Sequence, residues 1–161
     1  VTLPLPHTII ADYFIGLSNE TQTLITNLKL QKLVYYAQSW FLALNKTELI
    51  HEDFQAWVHG PVIPQLFNDY KIWSWKPIIR EDLNKEKFDA IKAVLPPEVK
   101  ALLADVEYEY FGLTAYELEK LTHNEAPWVI TRNGLPNDAP SNRVIPKSLI
   151  SDYYSKFVVN E

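Results

Sequence analysis

Apolar residues recur at helical spacing along most of the chain, and the densest run is Asn27 to Leu44. At 100° per residue, Leu30, Leu33, Val34, Ala37, Phe41 and Leu44 share one face, with Tyr36 and Trp40 on its flank. Leu28, Tyr35 and Leu42 make a second apolar patch nearly opposite, and Gln31 and Gln38 lie between the two. Only a narrow strip through Lys32, Ser39, Ala43 and Lys46 is weakly apolar. A helix apolar on two faces packs on both sides, so this stretch predicts a central helix over about 27–45, about 27 Å long. Thr26 or Asn27 caps its start, and Asn45 marks its end.

The same reading places shorter helices around it. Pro6 or His7 opens one through Ile9, Ile10, Tyr13, Phe14 and Leu17, with Gly16 to Thr23 read as its end and a loop. Pro64 starts a helix with Leu66, Phe67 and Tyr70, and Asn84 caps one from Lys85 to Val94. Pro97 opens the next, carrying Val99, Leu102, Leu103, Val106 and Tyr110 to a stop at Gly112. Thr114 and Glu117 form a capping box before a helix with Leu118 and Leu121 inward, ending near His123. Ala126-Pro127-Trp128 begins a short helix that stops near Gly134. Pro146 opens a last one with Leu149, Ile150, Tyr153, Tyr154 and Phe157 inward.

Phe54, Ala56 and Val58 alternate with Gln55 and Trp57, which reads as a short extended piece, and Gly60-Pro61 then breaks the chain before the next helix. The expected class is mainly α: a single compact helical domain around the central helix, with at most a small β element near 54–58, 77–79 or 143–145. No repeat or linker divides the 161 residues, so one domain over 1–161 is expected.

Composition narrows the chemistry. Hydrophobic residues make up 47% and aromatic residues 13%, enough for a core without metal or disulfide staples. There is no cysteine, which excludes disulfides, thiolate metal sites and a cysteine nucleophile and fits a cytoplasmic protein. The formal net charge is −5 and no Lys/Arg cluster tracks along a face, which argues against nucleic acid. No apolar run is long enough to span a membrane and no signal-peptide pattern opens the chain. Methionine is absent even at position 1, so a processed or trimmed start is expected.

Catalytic constellations are missing by pattern. His51, Glu52, Asp53 and His59 are metal-ligand types, but their spacing matches no metal motif, and His123 sits in a helix connection. Four scattered glycines form no phosphate loop, and no nucleophile elbow is present. No cofactor is expected. The aromatics beside the rigid Gly60-Pro61 turn are better suited to a fixed contact platform.

Three pieces read together: Asn27-Leu28-Lys29-Leu30-Gln31-Lys32-Leu33-Val34-Tyr35-Tyr36-Ala37-Gln38, Ala56-Trp57-Val58-His59-Gly60-Pro61-Val62-Ile63-Pro64, and Leu118 through Thr122-His123-Asn124-Glu125-Ala126-Pro127-Trp128. In order and spacing they resemble the Panacea antitoxin domain, a SocA-like family that includes phage-associated GepA-like proteins, over about residues 8–155. The resemblance implies a cytoplasmic, non-enzymatic helical module that neutralises a cognate toxin, such as a toxic small alarmone synthetase, by direct protein contact. One branch resembles an adaptor that delivers its toxin to a ClpXP protease, which is the alternative reading. A metal-dependent or hydrolytic enzyme using His51, Asp53, His59 or His123 is the third. With the whole chain absorbed by the resemblance, no appended DNA-binding segment is expected. The partner-binding candidates are Tyr36, Trp40, Trp57, His59, Gly60, Pro61 and Trp128. If Trp57 and Trp128 are core instead, replacing either by alanine costs about 3–5 kcal/mol of folding.

Overall fold

A computed structural model describes residues 2–159. The longest helix, α2 (Asn27–Asn45), runs through the middle of one hydrophobic core. Around it lie α1 (His7–Thr21), a hairpin of β1 (Gln55–Trp57) and β2 (Gly60–Val62), α3 (Pro64–Tyr70), α4 (Lys85–Val94), α5 (Pro97–Val106), α6 (Ala115–His123), α7 (Ala126–Arg132) and α8 (Lys147–Ser155). The mainly helical class with one small β element is therefore what the chain forms. The hairpin lies within the expected 54–58 region and just beyond it, and Gln55 also bridges Val144, while 77–79 forms no strand.

The helix starts follow from side-chain chemistry. Thr26, Asn84 and Thr114 each accept a backbone N–H three residues on, and Thr114 with Glu117 completes a capping box. Pro64 and Pro97 stand at first helical positions, where a missing N–H costs nothing. Helix α2 closes at Lys46, left-handed at φ 58°, whose N–H reaches the Leu42 carbonyl.

Burial of α2 goes further than two faces. Lys32, Ser39 and Ala43, the strip expected to be least buried, are all enclosed, as are Gln31 and Gln38. The glutamines explain how this is tolerated. Gln38 accepts from the Leu49 and Ile50 N–H groups and donates to the Ile50 carbonyl. Gln31 accepts from the Ile63 N–H and donates to Asn27 Oδ1. Buried amides thus satisfy the backbone of passing chain segments, each bond contributing about 1 kcal/mol.

Several local expectations are corrected. Helix α1 continues through Gly16 to Thr21, and that glycine is a packing position, not a helix end: the ring of Phe88 from α4 lies against it, and an added Cβ there would lie 2.8 Å from Phe88 Cδ1. Gly60-Pro61 does not separate a strand from a helix but begins the return strand of the hairpin. Leu44, Leu121 and Phe157 face solvent at helix ends instead of the core. Helix α5 widens into a π turn over Glu107–Phe111 before Gly112, a feature no periodicity signalled.

Candidate functional site

The hairpin is the focus of the polar chemistry. Each strand has only three residues, so the pair needs support from outside itself. On one edge, Ala56 N–H donates to the Arg143 carbonyl and Ile145 N–H to the Phe54 carbonyl. From beneath, Arg132 of α7 donates to the carbonyls of Ala56, Pro136 and Ala139 while its guanidinium lies over the Trp128 ring at 4.7 Å. Trp128 Nε1 donates to the Trp57 carbonyl at 2.7 Å, and the His123 ring stacks on the Trp128 ring at 3.9 Å. The Leu118-to-Trp128 motif is therefore a bracket for the hairpin.

Gly60 is the tightest point. Its φ is +103°, and a Cβ there would fall 2.4 Å from Lys32 Cε and 2.8 Å from Thr122 Oγ1. Only glycine permits this approach. Lys32, fully enclosed, reaches under the turn and donates to the Pro61 carbonyl at 3.2 Å. Burial pushes its ammonium down to about 7, against the pull of nearby Glu119. Glu119 itself is 2.7 Å from His59 Nδ1 at the exposed tip of the hairpin.

A second, partly buried polar group ties α2 to the start of α7 and to α8. Glu125 accepts from the hydroxyls of Tyr36, at 2.8 Å, and Tyr154, at 2.7 Å. Burial raises the Glu125 carboxyl, with both tyrosine bonds opposing. Tyr36 also stacks flat on Tyr110 at 4.0 Å, and Trp40 Nε1 donates to the Tyr110 hydroxyl.

The candidate contact residues thus divide. Tyr36, Gly60, Pro61 and Trp128 are buried and act as support. Trp40 is half-buried against Tyr154 and Tyr110. Trp57 and His59 reach an open groove of about 910 Å³ between the hairpin, α3 and the 140–142 loop. Phe67 meets Trp57 edge-on at 5.1 Å on its floor, and Trp75 stands at its margin, 78% exposed. Sequence reasoning missed Phe67, Lys71 and Trp75 as lining residues, because α3 and the following turn carry no periodic signal that aims them at a distant hairpin.

The candidate metal ligands do not converge. His51 is exposed beside Glu48, Glu52 accepts the His7 N–H, Asp53 pairs with Lys147, and His123 stacks on Trp128. Among the described residues no group of three or more His, Asp or Glu side chains is placed to hold a metal ion, and no helix is long and apolar enough to cross a membrane.

The chain is 29% identical over 115 residues to Antitoxin SocA of Caulobacter vibrioides (strain NA1000 / CB15N), an alignment covering 68% of this chain and 61% of that protein. It therefore spans about three-fifths of that relative's length. No solved structure matches. The family model for the antitoxin SocA-like Panacea domain matches residues 30–129, from the body of α2 through the hairpin to Trp128. The chain belongs to the SocA-like Panacea domain family.

Proposed function

We propose that this chain is an antitoxin that neutralises a cognate toxin protein by direct contact, using the face around the hairpin. Membership of the SocA-like antitoxin family is the observation that carries the reading. The geometry supports it: a stiffly braced hairpin presents Trp57 and His59 to an open, mostly apolar groove, and preorganised aromatic anchors are what a tight protein interface needs. Gly60, Pro61 and Trp128 serve the contact indirectly, by fixing the hairpin, and Tyr36 does so by tying α2 to Glu125 at the start of α7. A stable interface of this kind buries about 1,600 Å² in total, which a chain of this size can supply.

The test is co-expression with the protein encoded by the adjacent gene. The expected result is restored growth and a complex that survives purification. The absence of both rescue and complex would refute the reading. Toxin half-life separates the two ways of neutralising: an unchanged half-life with rescued growth is the outcome of contact alone, whereas a shortened one points to delivery to a protease.

A further inference from the structure

We infer that the groove and the Lys71–Ile79 segment beside it form the toxin-binding face, and that they take an amphipathic segment of the toxin whose apolar side chains fill the groove and whose carboxylates lie against Lys71 and Lys76. The inference rests on the antitoxin reading and adds to it the place of contact and the chemistry of the occupant.

Size and apolarity come first. The groove floor is formed by Leu28, Trp57, Val58 and Phe67. Apolar surface also continues past its margin. The Lys71–Ile79 segment is joined to the turn before α2 by the bond from Ile78 N–H to the Ile25 carbonyl. These two joined stretches carry Leu24, Ile72, Trp75 and Ile79, each more than half exposed. A small molecule sealed in a pocket would not use side chains standing outside it, whereas a polypeptide laid along the face would.

Charge selects the occupant. The chain carries a net charge of −5, yet no carboxylate lines the groove. Lys71 does line it, and neither Lys71 nor Lys76 forms an ion pair among the described residues. His59 is already engaged by Glu119, so it adds little free positive charge. The face is thus a local inversion of the chain's overall sign, and electrostatic complementarity favours an apolar segment edged with acid. The backbone supports a built surface: Ser74, at φ 55° and ψ −125°, adopts a conformation that L-residues avoid, immediately before the exposed Trp75.

The experiment uses the full chain and the co-expressed product of the adjacent gene. Three variants, Trp75→Ala, the pair Lys71→Glu with Lys76→Glu, and the control Tyr116→Ala on exposed surface of α6, are compared by titration at low and moderate salt. Because all these side chains are exposed, folding is expected to survive, and circular dichroism checks it. Expected are at least a tenfold loss for W75A, a comparable loss for the charge reversal that shrinks as salt rises, and wild-type affinity for Y116A. Wild-type binding by both groove variants overturns this inference while leaving the antitoxin reading standing. No binding by the wild-type chain overturns both. Self-association abolished by W75A, or capture of the wild-type chain by anionic phospholipid vesicles without toxin binding, would assign the face to a second copy or to a lipid surface and overturn the inference.

Discussion

Lys32 offers the sharpest test of the physical account. Its ammonium is enclosed beneath the hairpin turn with the Pro61 carbonyl as its hydrogen-bond acceptor. In the unfolded chain it keeps its proton up to about 10.5; in the folded chain, only up to about 7. A lysine with depressed proton affinity in the fold penalises the folded state wherever the unfolded chain is still protonated, so stability rises with pH from about 7 to 10.5. Below pH 7 the penalty is full, at about 5 kcal/mol, and between pH 7.5 and 9.5 it shrinks by about 2–3 kcal/mol. Other groups act outside that window or in parallel. Burial lowers His123, whose contribution is complete near pH 7, and burial raises Tyr13 and Tyr110 to about 12, so stability falls again once unfolded tyrosines ionise above about 10. Lys29, also lowered by burial, adds to the slope in the same sense. Lys32→Met keeps the side-chain volume and removes the charge, and the difference in slope between the two proteins isolates Lys32. Urea unfolding at half-unit steps from pH 7.5 to 9.5 is the assay. Wild-type stability is expected to climb, and K32M stability to climb by less than half as much. A flat wild-type profile, or a K32M profile parallel to it, refutes the burial argument.

Two further outcomes concern the hairpin's supports. Gly60→Ala places a Cβ against Lys32 and Thr122 at a positive φ, which together are expected to cost about 2–5 kcal/mol in urea or thermal unfolding. A change within about 0.5 kcal/mol would show that the turn has more room than described. Trp128→Ala removes a buried ring and the bond to the Trp57 carbonyl and is expected to cost about 3–5 kcal/mol, with Trp57→Ala, a half-buried ring, costing less. Equal losses for the two would contradict their difference in burial.

Local chemistry was readable in the sequence where cause and effect are close together. The caps at Thr26, Asn84 and Thr114 and the first-turn prolines at 64 and 97 lie within a few residues of what they fix. Features missed from the sequence depend on distant partners. Lys32 looks like a solvated position until the hairpin and α6 close over it, and Arg132 looks like an ordinary last-turn cation until the Ala56 carbonyl of the hairpin and two carbonyls of the 136–139 turn meet it. Gly16 reads as a helix end because the Phe88 ring that requires a glycine there belongs to α4. Of the contact candidates, Trp57 and His59 reach the groove, while Phe67 and Trp75 come to it from elements that share no sequence pattern with the hairpin.

Enclosure of nearly all the middle turns of α2 bears on how such a module could adapt. Its longest rod offers hardly any positions at which a new partner could be met, since changing almost any of its middle turns disturbs packing or an occupied amide. On the proposed antitoxin reading, diversity of recognition would be confined to the periphery, where side chains can be exchanged without shifting the frame that presents them.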